Sequence, residues 1–167
     1  MPLILNETTY INLVDADLYL TSHYLSTDTK LIAWQDLIDA DKEALLRKAT
    51  QIIDRLQFAG RRATTTQLLE FPRILYTNRR INYNKFDYYS DGLSVQTVPP
   101  VGVLAAECEI AIDLAQGTDD RSEMQQAGVK SFSLGNLSES YGSIKDITSH
   151  EARQLLKRFT LGGARIV

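Results

Sequence analysis

The residues best suited to nucleophilic or metal chemistry are two histidines, His23 and His150, and one cysteine, Cys108. None stands at a metal-ligand spacing from another, and each is read as structural. Cys108 lies in an apolar stretch, as a buried and inert thiol would, and a single cysteine forms no intramolecular disulfide. Glu109 and Asp113 are one helical turn apart and could share a cation. With Glu107 they are instead read as a solvated stripe on a helix, so no metal is predicted. The chain has no glycine-rich phosphate loop, nucleophile elbow or HExxH helix. The expectation is a protein that is not an enzyme, with no catalytic residues and no cofactors.

A second constellation interleaves cations with rings: Arg73, Tyr76, Arg79, Arg80, Tyr83, Lys85, Phe86, Tyr88 and Tyr89. Bases stack on aromatic faces while Arg and Lys follow phosphates, so this mixture suits single-stranded nucleic acid. Tyr and Arg are also the favoured anchors of protein interfaces. Asp87 and Asp91 inside the cluster, and a formal net charge of -3, tip the reading toward a subunit or tail interface. Arg61-Arg62 before Ala63-Thr64 reads as a surface loop.

These residues must be carried by elements. Asp15 is placed to cap a first helix that turns Ala16, Tyr19, Leu20 and Tyr24 inward. Asp39 or Asp41 can cap a second, with Leu45, Ala49, Ile52, Ile53 and Leu56 at helical spacing and Glu43, Arg47, Lys48 and Asp54 outside. Gly60 ends it. From Arg61 to Pro100 no period of either kind is sustained, which predicts a long irregular excursion that is functional, disordered or folded only against a partner such as a ring neighbour. Pro99-Pro100 open a third helix to about Gln116, closed by Gly117 and so apolar that most of its circumference must be covered. A β-hairpin is expected between Val129 and Tyr141, turning at Gly135-Asn136. Thr148 and Glu151 form a capping box before a last helix bearing Ala152, Leu155, Leu156 and Phe159.

The 167 residues are expected to form one domain, residues 1–167: a mainly α fold, a small bundle of about four helices with a β-hairpin and a long irregular insertion. Apolar residues at 44% and charged residues at 23% are ordinary for a globular protein. The N-terminal Met1-Pro2-Leu3-Ile4-Leu5-Asn6 lacks a basic flank and a long apolar run, which predicts cytoplasmic synthesis, and no stretch is long enough for a membrane role.

The order of short motifs resembles a known family. Thr9-Tyr10-Ile11 leads into Asp15-Ala16-Asp17, and Ala33-Trp34, Gly60-Arg61-Arg62 and Phe71-Pro72-Arg73 follow. Val98-Pro99-Pro100 then precedes an alanine-rich helix, Gly128-Val129-Lys130-Ser131 opens the hairpin, and Gly162-Gly163 ends the last helix. Together these are similar to the tailed-phage head-tail connector or adaptor proteins, including those labelled DnaT-like single-stranded-DNA-binding proteins. The resemblance spans almost the whole chain. It implies a structural subunit of a virion, located at the head-tail interface and made in the host cytoplasm. Its partners would be copies of itself in a ring, typically a dodecamer, with the portal protein, a tail-completion or stopper protein, and packaged double-stranded DNA in the channel. The alternative is a DnaT-like single-strand binder in which Tyr83 and Tyr88 stack bases.

The family pattern is shorter between Phe71-Pro72-Arg73 and Val98-Pro99-Pro100, which makes 74–98 an inserted loop. Arg73, Tyr76, Arg79, Arg80, Tyr83, Phe86, Tyr88 and Tyr89 are its candidate interface residues. After Gly162-Gly163 a flexible tail, 161–167, offers Leu161, Arg165, Ile166 and Val167 for docking in a portal groove.

Overall fold

A computed structural model describes residues 3–83, 86–117, 131–134, 137–140 and 149–160; of 76–83, 86–93, 131–134 and 137–140 it describes the backbone. The fold is mainly α, with short antiparallel pairs of strands. The described helices are α1 (Leu13–His23), α2 (Thr29–Gln35), α3 (Asp39–Asp54), α4 (Val101–Gln116) and α5 (His150–Leu156). The strands are β1 (Arg61–Arg62), β2 (Arg73–Tyr83), β3 (Phe86–Val95), β4 (Ser131–Leu134) and β5 (Leu137–Ser140).

Helix α4 is the axis, with α1, α2, α3 and α5 all packed against it. Val103, Ala106, Cys108, Ala111 and Ile112 are fully or almost fully buried, as a helix apolar around most of its circumference requires. Pro100 precedes its first turn, and Gly117, at φ 84°, ends it in a backbone conformation that favours glycine. Leu20 of α1, Leu31 and Trp34 of α2, Leu46, Ala49 and Ile53 of α3, and Ala152 and Leu156 of α5 complete the core.

The helix starts differ from the sequence expectation in detail. Asn12, not Asp15, caps α1: its side chain accepts from the Asp15 backbone N–H at 2.8 Å, so Asp15 sits inside the first turn. Helix α3 starts at Asp39 after Ile38, which supplies no side-chain cap. Its most buried positions are Lys42, Leu46, Ala49, Thr50 and Ile53; Leu45, Ile52 and Leu56 are half-buried, and so is Asp54, expected outside. The seven-residue α2, capped by Asp28 onto the Lys30 N–H at 2.9 Å, is too short to leave a periodic signature. Ser149 caps α5 by accepting from the Ala152 N–H, and Thr148 of the predicted capping box lies outside the described residues.

The clearest difference lies after Phe71. In place of an irregular excursion, β2 and β3 form an antiparallel ribbon in unbroken register from Ile74 opposite Val95 to Tyr83 opposite Phe86. Period-2 alternation appears when one face of a sheet is buried and the other wet. Among the described residues no helix is a substantial neighbour of this ribbon, so neither face is selected for apolarity and the alternation is missing from the sequence. Strands β4 and β5 pair as expected around Gly135-Asn136, a turn outside the described residues.

A candidate nucleic-acid ribbon and the anchors beneath it

The ribbon is rooted by aromatic packing. Phe71, almost fully buried, lies edge-on to Phe58 (4.7 Å between ring centroids), Phe159 (5.6 Å) and Tyr10 (6.1 Å). These rings join the N-terminal lead, the segment after α3, the entry to β2 and the end of α5. Strand β1 pairs with the first residues of β2, Arg61 with Ile74 and Arg62 with Arg73. Gly60, at φ 76°, permits that approach, since a Cβ there would stand 2.1 Å from the Ile74 carbonyl oxygen.

Arg73, placed with the interface cluster from the sequence, is 5% exposed and committed inside the subunit. Its guanidinium donates to the carbonyls of Ala59 (2.9 Å), Gly60 (2.9 Å), Phe58 (3.2 Å) and Glu70 (3.3 Å), and to the Glu70 carboxylate. The same group lies over the Phe58 and Phe71 rings. Five planar donors in a fixed fork fit this run of carbonyls as a lysine would not. Arg73 therefore fastens the ribbon's root.

Along the ribbon, successive residues alternate between faces and directly paired residues share one. The register places Arg79, Ile81, Tyr83, Phe86 and Tyr88 on one face, and Tyr76, Arg80, Asp87, Tyr89 and Asp91 on the other. Both acids thus fall on the second face. The first collects three rings and an arginine without an acidic residue, a sorting that the linear sequence hides. At about 3.3 Å per residue, ten paired positions make an arm on the order of 30 Å long. Lys85 and the portal-docking candidates Leu161, Arg165, Ile166 and Val167 lie outside the described residues.

The acids of α4 correct another expectation. Glu107 and Glu109 are 0% and 5% exposed, not a solvated stripe, because helices cover α4 on every side. The Glu107 carboxylate accepts from the hydroxyls of Thr9 (2.6 Å) and Thr50 (2.8 Å) and from the Tyr10 backbone N–H (3.0 Å). Burial outweighs these favourable donors and pushes its pKa up to about 7. Glu109 accepts from the hydroxyls of Tyr24 (2.5 Å) and Tyr19 (3.0 Å), while Asp113 pairs with Lys30 at 2.5 Å. Burial, reinforced by Glu109, raises both phenols above their ordinary range and keeps them donors.

The sequence reading also missed the node at Tyr10. Its hydroxyl donates to Asp54 and accepts from the Glu70 N–H at 3.1 Å, tying the N-terminal lead to α3 and to the ribbon's entry. The Asp54 pKa is raised chiefly by burial. One signal was available for the α4 acids: a helix apolar around its whole circumference leaves its few polar residues no solvent to face. Cys108 is fully buried, and burial drives its thiol pKa up, which makes a poor nucleophile. His23 and His150 are both exposed. Among the described residues no group of His, Cys, Asp and Glu is arranged to hold a metal, and no helix is long and apolar enough to cross a membrane.

A concavity of about 320 Å³ lies between the N-terminal lead and α3, with Arg47, Gln51 and Arg55 on one wall and Glu7 and Asp54 beside them. Its opposed charges favour neither an anion nor a cation. The ribbon is the stronger candidate.

A helical body thus carries a two-stranded arm with one ring-rich face. The chain belongs to the family described as "Putative DnaT-like ssDNA binding protein", whose model matches residues 3–167. No curated protein and no solved structure matches it. The family match carries the DnaT-like part of the resemblance read from the motif order and does not bear on the connector part.

Proposed function

We propose that this protein is a non-enzymatic single-stranded-DNA-binding protein that holds its ligand on the Arg79, Tyr83, Phe86 and Tyr88 face of the ribbon. The observation that carries the reading is the sorting of Asp87 and Asp91 onto the opposite face, which leaves the ring-rich face free of acids. Bases stack on rings whatever their sequence, and a nearby arginine meets the phosphates. Membership of the family, over nearly the full chain, supports the same ligand. Beyond the root, where Arg62 and Arg73 pair, Arg79 is the only cation that the register places on that face among the described residues, so stacking supplies most of the affinity and the salt dependence is shallow.

The test is fluorescence anisotropy with a labelled oligothymidine and the matching duplex. Preference for the single strand is expected, and the Tyr83→Ala/Tyr88→Ala variant should bind at least about tenfold more weakly, given roughly 1–3 kcal/mol per stacked base. Equal affinity for duplex and single strand, or an unchanged affinity in that variant, rejects the reading.

A second reading is favoured by the net charge of -3 and by the ribbon standing clear of the helices. It is a structural ring subunit at the head-tail interface of a tailed phage. Packaged double-stranded DNA would pass its channel, the portal would receive Leu161, Arg165, Ile166 and Val167, and a stopper protein would bind below. The supporting result would be a near-equal copy number of this chain and portal protein in purified, DNA-filled particles.

A further inference from the structure

The faces of the ribbon suit a ligand, but its edges carry a separate message. Strand β1 covers only the root of β2, pairing with Arg73 and Ile74. From Leu75 to Tyr83 the outer edge of β2 has no strand partner among the described residues, nor has the outer edge of β3 from Phe86 to Val95. Each edge presents a row of backbone N–H and C=O groups. Long, regular edges are ordinarily blunted by proline, a bulge or lysine, and a lone two-stranded ribbon is marginal in water. Neither strand contains proline or lysine, and the register runs without a bulge.

The two edges differ in charge. Between Ile74 and Tyr83, β2 carries Arg79 and Arg80 and no acid; β3 carries Asp87 and Asp91 and no cation. Like edges, β3 on β3 or β2 on β2, would bring like charges together, which is unfavourable. A β3 edge beside the β2 edge of another ribbon puts Asp87 and Asp91 on the same face of the joined sheet as the neighbour's Arg80 and continues the antiparallel alternation, with all ribbons pointing the same way.

We infer that copies of this chain associate edge to edge through the ribbon, the acidic β3 of one copy pairing with the basic β2 of the next. The contact is heterologous, so an open row of copies keeps one free edge of each kind, to be extended as a filament or closed into a ring. The pairing is independent of what the faces bind, and DNA is not needed for it.

Sedimentation velocity without DNA tests this with two charge-reversed variants, Arg80→Glu and Asp87→Lys/Asp91→Lys. The unaltered chain should sediment as an oligomer. Each variant alone should weaken association at least about tenfold and sediment as a monomer, since like charges placed opposite one another are repelled. Mixed one to one, the variants should reassemble, because the acidic β3 of the first meets the basic β2 of the second and the reverse pair is also complementary. A chain carrying all three changes should associate alone. Recovery in that chain but not in the mixture would mean that the charges act only within one ribbon, and would overturn the inference. So would a monomeric unaltered chain. Variants that remain oligomeric would also overturn it, while leaving intact a ring held together by the helical bodies.

Discussion

The helical body and the ribbon obey opposite rules. In the body, acids with nowhere to meet water are answered from neighbouring elements: Glu107 by Thr9, Thr50 and Tyr10, Glu109 by Tyr19 and Tyr24, Asp113 by Lys30. In the ribbon beyond its root, each strand is paired along one side and has no strand partner along the other among the described residues. A polar group costs little where water reaches it and several kcal/mol where it does not, so the body spends its side chains on internal satisfaction and the ribbon keeps its own for others. Stability should reside in the first region and binding in the second.

The sharpest break of that division is at the body's aromatic junction. Phe71→Ala removes the ring shared by Tyr10, Phe58 and Phe159 and is expected to cost about 3–5 kcal/mol in urea unfolding. A cost near that of a surface change would mean that the ribbon's root is not part of the cooperative core. Next comes acid at the centre. The folded-state pKa of Glu107 is pushed up to about 7 from an ordinary value of 4.5, so the native state holds its proton longer than the unfolded chain does. Its contribution is therefore fully present below about pH 4.5 and is lost as pH rises through 7, a swing on the order of 3 kcal/mol. Measured as a difference in unfolding free energy between the unaltered chain and Glu107→Gln, the swing should appear over that window. A pH-independent difference would place water beside the carboxylate. The smallest effect is expected from excising the ribbon beyond its root, replacing 75–94 by a short turn. The unfolding free energy of the body should move by less than about 1 kcal/mol, while DNA binding and self-association both disappear.

Sequence reading succeeded where burial imposes a period. The Val101–Gln116 helix was legible from its composition and its Pro and Gly boundaries, and the last helix from its apolar spacing. It failed where partners are distant in sequence or missing. Nothing local announces that Glu107 meets Thr9, 98 residues away, and a charged residue on a helix is read as solvated by default. The ribbon was illegible because its regularity comes from backbone pairing and not from a buried face. Its aromatic and basic residues were found, yet which of them stand together depended on a register that only the fold fixes. Arg73 was grouped by type with residues farther along the ribbon, although its own guanidinium is committed inside the subunit.

The three acids of α4 also act as a positional code. Each points to a different neighbour at a different height along the helix, Glu107 to the N-terminal lead and α3, Glu109 to α1, Asp113 to α2. A slip of α4 by one turn would still set apolar side chains against apolar surroundings, though with a poorer fit. It would also strand all three carboxylates at once. Greasy surfaces make the helices adhere, and the carboxylates select the single alignment in which they do so.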